Sequence, residues 1–306
     1  MKVRKVLKGA WRRAKRWLNE GEEREIPSVP FDNTYAWLVP SFKKLHRDPV
    51  CALMPAYIWG CLQGAALGKV LGMERVSVIE FGVAGGRGLL ALERIAERAE
   101  EMIKISIDVY GFDTGGGLPK SQDYRDCPNL WVEGQFPMDK EQLERRLQRA
   151  SLKLGLVKDT IPDFLQSMPA PVAFVSIDLD LYHSTRDALR IFTADHDRLL
   201  PRVLCYFDDI MGLTYSDYNG ERLAISEFNT IHAMRKISPL YGLKFFVPWE
   251  QASTQWPNLI YFAHIFDHPL YNQPDTLRKP MIMDIEGKIT GYEVVLQEQR
   301  PENVRE

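Results

Sequence analysis

Cysteine is scarce in this chain, and the segments that would mark an exported protein are missing. Four cysteines occur among 306 residues, and none has the close spacing of metal-binding pairs. We therefore expect reduced, buried thiols in a cytoplasmic protein rather than a zinc site or a disulfide framework. The amino terminus also lacks the apolar core of a secretory signal.

The chain has little net charge. A formal charge of −2 argues against a general nucleic-acid binder, so we expect no nucleic-acid partner. A hydrophobic content of 45% and a charged content of 26% are ordinary for a soluble globular protein. The length suits one large domain or a catalytic domain with appendages.

Acidic residues are absent from residues 1–19, which contain eight lysines and arginines. Apolar residues recur between them at helical spacing, so residues 1–18 are predicted to form a basic amphipathic helix. Such a helix can lie on an anionic surface at the inner side of a membrane, or dock on the protein itself or on a partner subunit. We also expect a homo-oligomer.

One stretch, from Val50 to Gly68, lacks charged residues altogether and reaches the length of a membrane span. Pro55, Gln63 and the strand that soon follows argue against a span. A buried helix leading into a sheet is the favoured interpretation.

From Val76 onward, short apolar strands alternate with helical segments, which is typical of a parallel sheet covered on both faces. Strands are predicted at 76–81, 105–112, 152–157, 172–177 and 203–207. Helices are predicted at 89–102, 140–150, 184–193 and 222–236, with a short helix from 161. Segments 243–247 and 259–265 then follow without an intervening helix and predict an antiparallel pair.

This order of elements predicts an α/β fold with a doubly wound, mostly parallel seven-stranded sheet, Rossmann-like and of the class I methyltransferase type. The domain division follows from it. Residues 1–75 form a helical extension, 76–266 the catalytic domain, and 267–306 a tail with a hairpin signal around Ile282 to Ile289.

Two acidic clusters directly follow predicted strands. Asp178 and Asp180 come after 172–177, and Asp208 with Asp209 comes after 203–207. Ligands bind at the carboxyl ends of strands in open α/β sheets, so neighbouring strands would bring these carboxylates together. Close carboxylates repel one another unless they are protonated or share a cation, and oxygen ligands favour Mg²⁺. The alternative is a set of strand-end caps and solvated loop acids.

A glycine-rich turn joins the first strand to its helix. It contains Glu80, Phe81, Gly82 and Gly86, and its spacing differs from the Gly-x-Gly-x-x-Gly dinucleotide pattern. An acid before the first glycine suits a ligand with a cationic amino-acid end, as in S-adenosylmethionine. A structural glycine turn is the alternative.

Two further pairs suit the nucleoside half of the same ligand. Asp113 and Thr114 end the second strand, where an acid commonly binds ribose hydroxyls. Asp159 and Thr160 follow the third strand near the expected adenine position, although Asp159 could equally cap a helix.

These motifs resemble the macrocin O-methyltransferase family, metal-dependent enzymes that methylate sugar hydroxyls. The resemblance covers residues 79–228. It rests on Glu80-Phe81-Gly82-Val83 with Gly85-Gly86, Gly111-Phe112-Asp113-Thr114 with Gly117-Leu118-Pro119, Asp159-Thr160-Ile161-Pro162, Asp178-Leu179-Asp180-Leu181-Tyr182-His183-Ser184-Thr185 and Phe207-Asp208-Asp209.

The resemblance implies S-adenosylmethionine and Mg²⁺ as cofactors. The implied cofactor-binding residues are Glu80, Phe81, Gly82, Gly86, Asp113, Thr114, Asp159, Thr160 and Asp178. The implied metal ligands are Asp180, Asp208 and Asp209, and Asp180 or His183 would accept the proton.

This chain departs from the family at three places. His183 stands where an acid is usual, and Leu179 stands where a glycine is common. The segment 122–139, which should shape the acceptor site, contains no histidine to serve as base.

The predicted reaction is methyl transfer to a hydroxyl of a sugar or glycan, which could be lipid-linked. A catechol or other small diol is a second class of acceptor, and a nucleotide-binding module without catalysis is a third interpretation. An NAD-dependent dehydrogenase is disfavoured because the spacing of the glycine-rich turn is wrong.

Overall fold

The computed structural model describes residues 38–212 and 214–273, together with the backbone of residues 282–283 and 289–290. The predicted helix over residues 1–18 lies outside the described residues, and the division into three domains stays a prediction.

A seven-stranded sheet forms the centre of the fold. Its strands are β1 (Arg75–Phe81), β2 (Ser106–Asp113), β3 (Ser151–Leu154), β4 (Val172–Ile177), β5 (Leu199–Phe207), β6 (Arg235–Pro239) and β7 (Ile260–Ile265). They lie in the order β3-β2-β1-β4-β5-β7-β6, and β7 is antiparallel to both of its neighbours. This strand order is that of the class I methyltransferase fold, so the predicted fold class is confirmed.

The strand order reverses between β1 and β4, which makes this the switch point where ligands bind in doubly wound sheets. All six residues of β4 are buried, which explains its unbroken apolar sequence. Phe81 pairs with Ile177, and Ile177 pairs with Phe207. The residues that follow β1, β4 and β5 therefore emerge side by side at one edge of the sheet.

Helices cover the sheet. They are α1 (Leu38–Leu45), α2 (Pro55–Val70), α3 (Arg87–Ile103), α4 (Lys140–Arg146), α5 (Val157–Gln166), α6 (Tyr182–Ala188), α7 (Gly220–Ile231) and α8 (Trp249–Ala252). Helix α2 is the buried helix predicted within 50–68, and it begins at Pro55, where the missing N–H costs nothing. Within the described part of the chain, no helix is both long and apolar enough to cross a membrane.

The prediction for the antiparallel partner of β7 was wrong. Leu243–Val247 does not form a strand, because Gly242 is left-handed (φ +78°) and the chain enters a 3-10 turn. The partner is Arg235–Pro239, a half-exposed edge strand in which basic residues weaken the apolar alternation. The preceding helix therefore ends at Ile231 and not at Lys236.

Other boundaries also differ from the prediction. Strand β3 ends at Leu154 because Gly155 has a φ of +139°, and helix α5 begins at Val157 rather than at Ile161. Helix α4 ends at Arg146, and α6 gives way at Leu189 to a 3-10 helix. In the carboxyl-terminal tail, β8 (Ile282–Met283) pairs antiparallel with β9 (Ile289–Thr290).

Small residues let α2 pack closely on β4. A Cβ on Gly64 would lie 2.7 Å from the carbonyl oxygen of Ala173, and a Cβ on Gly60 would lie 2.2 Å from the ring of Phe174. The backbone oxygen cannot move aside as readily as a side chain, so Gly64 is the stricter requirement.

We expect Gly64→Ala to destabilise the protein by about 1–3 kcal/mol. A Gly-to-Ala change inside a helix ordinarily stabilises by about 1 kcal/mol, so the sign itself tests the packing. Urea unfolding would measure it. Gly116→Ala is the control, because a Cβ there meets no atom within 4 Å and the φ is not left-handed. Equal stability of both variants would contradict this account.

Candidate active site

The acidic clusters predicted from the sequence meet at the carboxyl edge of β4 and β5. Asp178, Asp180 and Asp209 each offer a carboxylate oxygen, and these oxygens lie within 4.8 Å of one another. We call these three residues the carboxylate cluster. Asp208 does not belong to this group. Its side chain is exposed and accepts a hydrogen bond from the hydroxyl of Tyr206.

Burial makes the carboxylate cluster costly to ionise. It raises the pKa of Asp178 to about 9, with further contributions from Asp208, Asp209 and Asp180. Burial likewise raises the pKa of Asp180 to about 7, and Asp209 and Asp208 add to this increase. The pKa of Asp209 rises to about 6, again chiefly through burial. Carboxylates in this condition hold protons or share a cation, so the donor set fits a hard divalent metal.

Asp180 has a strained backbone. Its φ of +60° is unusual for a residue with a side chain, and the N–H of Leu181 donates to the carbonyl of Leu179 at 2.5 Å across it. The N–H of Asp180 donates to Oδ2 of Asp209 at 3.0 Å. Asp209 thus holds the turn that aims the Asp180 carboxylate.

Two residues that the sequence interpretation missed support Asp209. Tyr215 donates its hydroxyl to Oδ1 of Asp209 at 2.8 Å. Glu221, fully buried in the first turn of α7, accepts the N–H of Asp209 at 2.9 Å. The sequence signal at Glu221 is its position as an acid at the start of a helix. This position indicates a favourable interaction with the helix dipole and nothing about the site. No local signal pointed to Tyr215.

A buried acid lies at the start of the glycine-rich turn. Glu80 is 3% exposed, and burial raises its pKa to about 8. The hydroxyl of Tyr57 donates to its Oε1 at 2.7 Å, and the hydroxyl of Ser176 donates in turn to Tyr57 at 2.8 Å. The second oxygen, Oε2, has no hydrogen-bond partner among the residues that the structure describes.

Close backbone contact explains the first glycine of this turn. Gly82 has a φ of +88°, and a Cβ there would lie 1.7 Å from the carbonyl oxygen of Asp178. Gly86 has a φ of +85° and faces the side chain of Leu143. The ring of Phe81 is buried in the core, so Phe81 can offer a ligand only its backbone.

Asp113 closes the glycine-rich turn. Its Oδ2 accepts the N–H groups of Val83 and Ala84, both at 2.9 Å, and its Oδ1 accepts the N–H of Gly115 at 2.6 Å. Thr114 donates its hydroxyl to the carbonyl of Gly117 at 2.6 Å. Both residues therefore shape the loop at the predicted cofactor site.

Asp159 and Thr160 lie in the first turn of α5. The N-cap of this helix is Leu156, so Asp159 is not the cap, and its side chain is exposed. The Thr160 hydroxyl donates to backbone carbonyls of its own helix. A cavity of about 200 Å³ adjoins this turn and reaches His183.

His183 is buried at the start of α6. Its Nδ1 lies 2.9 Å from Oδ2 of Asp126, and its Nε2 lies 3.3 Å from Nη2 of Arg125. Both ring nitrogens thus have partners in the segment 122–126. His183 follows Asp180 by three positions in the chain, and its role in catalysis stays a prediction.

Comparisons with known proteins find only low similarity, and the similar solved structures are methyltransferases. No family model and no curated protein matches it. The calicheamicin methyltransferase CalS11 is 22% identical, over 69% of this chain and 90% of that one, with a TM-score of 0.44. The O-methyltransferase NovP is 17% identical, over 66% and 77%, with a TM-score of 0.45. An O-methyltransferase from Bacillus cereus in complex with SAH is 15% identical, over 74% and 90%, with a TM-score of 0.36.

These similarities are too low to support an argument about activity. The fold assignment rests on the strand order and strand directions of this chain.

The raised pKa values predict how stability depends on pH in metal-free protein. A carboxyl whose pKa is higher in the folded than in the unfolded state stabilises at low pH, and this contribution is lost as pH rises towards the folded-state pKa. For Asp178 the window runs from about pH 4 to about pH 9. We expect Asp178→Asn to be more stable than the parent at pH 8 by at least about 1 kcal/mol, with a smaller difference at pH 5.

Urea unfolding in the presence of a chelator would measure this difference. Asp163→Asn, at an exposed position on α5, is the control and should leave the pH dependence unchanged. A pH-independent effect of Asp178→Asn would contradict the proposed electrostatic cost.

Proposed function

We propose that this protein is an S-adenosylmethionine-dependent, metal-dependent O-methyltransferase that acts on a hydroxyl of a sugar or glycan. The observation that carries the proposal is the carboxylate cluster itself. It lies at the switch point of a class I methyltransferase sheet, beside the glycine-rich turn. A bound metal and a bound methyl donor would thus be neighbours.

Glu80 supports the cofactor assignment. A buried carboxylate oxygen without a partner is costly, and the ammonium group of an amino-acid ligand would satisfy it. Space is also present in the turn, since a Cβ on Gly85 would meet no atom within 4 Å. The cavity beside Leu156 and Val157 offers an apolar wall to an adenine ring, with Gln122 and Ser184 as polar groups in its lining.

Asp113 would serve the cofactor in two ways. Its three backbone hydrogen bonds fix the shape of the glycine-rich turn. Each carboxylate oxygen has a second lone pair, so ribose hydroxyls could still donate to Asp113.

Asp178, Asp180 and Asp209 would hold the metal. The motif resemblance instead implies Asp180, Asp208 and Asp209, and Asp208 would have to leave the Tyr206 hydroxyl to join them. When bound, the metal supplies positive charge that stabilises a developing alkoxide, and S-adenosylmethionine supplies the methyl group.

Asp180 is the residue best placed to receive the proton of the acceptor hydroxyl. Its raised pKa of about 7 belongs to the metal-free protein, and a bound cation would favour the ionised carboxylate, which is the form that accepts a proton. The strained turn aims its carboxylate into the cluster, so the base is oriented before substrate binds.

The sugar acceptor follows from the motif resemblance, and a small diol such as a catechol is the competing class. We expect methyl transfer from labelled S-adenosylmethionine to saccharide hydroxyls in the presence of Mg²⁺. Transfer to catechols but not to saccharides would contradict the acceptor assignment and leave the rest of the proposal standing.

Calorimetric titration with S-adenosylhomocysteine and with NAD, each with and without Mg²⁺, tests the cofactor assignment. We expect micromolar binding of S-adenosylhomocysteine and no binding of NAD. Binding of NAD alone, or of neither ligand, would contradict the proposal. Cofactor binding without any metal-dependent turnover would favour a non-catalytic nucleotide-binding module.

Substitution of the aspartates tests the metal site. Asp180→Asn and Asp209→Asn should each weaken Mn²⁺ binding by a factor of about 100 or more, because each removes a charged ligand. Asp178→Asn should weaken it more than Asp208→Asn, since Asp178 belongs to the cluster and Asp208 does not. The reverse order would favour the ligand set implied by the motifs.

A further inference from the structure

A second buried acid lies outside the carboxylate cluster and is bound to the start of α6. Asp126 is fully buried, and His183 is 6% exposed. Oδ1 of Asp126 accepts the backbone N–H of His183 at 2.9 Å, and the ring Nδ1 lies 3.0 and 2.9 Å from its two oxygens. Oδ2 also accepts the N–H of Gln122 at 2.8 Å. One carboxylate thus joins the segment 122–126 to the helix.

Arg125 fixes the tautomer of the ring. A guanidinium has only donors, so Nε2 of His183, 3.3 Å from Nη2, must be the acceptor. The ring proton of the neutral histidine then lies on Nδ1 and is donated to Asp126. Tyr182 in turn holds Arg125. Nη1 of Arg125 donates to the Tyr182 hydroxyl at 3.2 Å, and the guanidinium carbon lies 4.5 Å from the centre of the Tyr182 ring.

This arrangement leaves His183 no free nitrogen with which to accept a proton from a substrate. It does, however, anchor the chain just after the strained turn. His183 follows Asp180 by three positions, and the N–H of Thr185 donates to the carbonyl of Leu181 at 3.0 Å. Asp209 bonds to the turn itself at the N–H of Asp180, and Asp126 bonds to His183, two positions after Leu181.

We propose that Asp126 and His183 are positioning residues that keep Asp180 in its left-handed conformation and thereby set the geometry of the metal site. The inference rests on the proposed function, because it concerns the same carboxylate cluster. A left-handed aspartate is strained, so it persists only where neighbouring contacts enforce it. Loss of the anchor would let the turn relax and withdraw one carboxylate from the cluster.

A second and more exposed histidine–aspartate contact serves as a control. Nε2 of His196 lies 3.2 Å from Oδ2 of Asp267, so this is also a histidine–aspartate contact. His196 lies directly before β5, and Asp267 follows the antiparallel β7. Both lie at the edge of the sheet opposite to the carboxylate cluster.

The test is calorimetric titration of Asp126→Asn and His183→Gln with Mn²⁺ and, separately, with S-adenosylhomocysteine. Asparagine has the same size as aspartate, but at position 126 its amide would present to the histidine either an N–H donor or a weaker acceptor oxygen. Asp126→Asn therefore disrupts the contact without changing the size of the side chain. We expect Mn²⁺ affinity to fall at least about tenfold, as is typical when a group that orients a metal ligand is lost. Affinity for S-adenosylhomocysteine should fall by a smaller factor than affinity for Mn²⁺, because Asp126 and His183 also line the cavity proposed for the adenine ring. The double variant should bind Mn²⁺ no more weakly than the weaker-binding single variant.

His196→Gln and Asp267→Asn should leave Mn²⁺ affinity unchanged even if they lower the melting temperature. If Asp126→Asn does not fold, Arg125→Gln removes the contact to Nε2 from a partly exposed position, and a smaller fall in Mn²⁺ affinity is expected.

Unchanged Mn²⁺ affinity in folded variants, or an equal fall in the control pair, would overturn the inference while the proposed function stands. Failure of the parent protein to bind either Mn²⁺ or S-adenosylhomocysteine would overturn the proposed function, and the inference with it.

Discussion

Electrostatic repulsion among buried carboxylates is the constraint on which the candidate site depends. Strands β4 and β5 are adjacent and parallel. Asp178 and Asp180 follow β4, and Asp209 follows β5. The sheet forces these acids together whatever their charge. Protonation or a shared cation is then required, and the raised pKa values express this requirement in the metal-free protein.

The surrounding contacts convert this crowding into a defined geometry. Tyr215 and Glu221 hold Asp209, and Asp209 holds the strained backbone of Asp180. On the other side of the turn, Asp126 fixes the start of α6. The contacts of Asp209 with Asp180 and of Asp126 with His183 join segments 29 and 57 positions apart. Tyr215 and Glu221 lie only 6 and 12 positions after Asp209. The site is therefore stabilised both by its own loop and by the tertiary fold.

The sequence predicted the fold well where strands were buried and poorly where they were exposed. Strand β4 was placed correctly at 172–177 because a strand covered on both faces leaves an unbroken apolar run. Strand β6 was missed because it lies at the edge and carries Arg235 and Lys236. The apolar segment 243–247 was taken for it, but it forms a turn after Gly242 in which Leu243 and Val247 are buried and Phe245 is exposed.

The candidate site divides in a similar way. The sequence by itself determined that acids follow β4 and β5 and that glycines follow β1, because residue type and distance from a strand end are both local properties. Only the tertiary structure decided that Asp178 rather than Asp208 joins the cluster, and that His183 faces Asp126. Side-chain direction at a strand end depends on backbone angles, such as the φ of +60° at Asp180, and on partners that approach from distant segments. Neither is encoded in the spacing of residues along the chain.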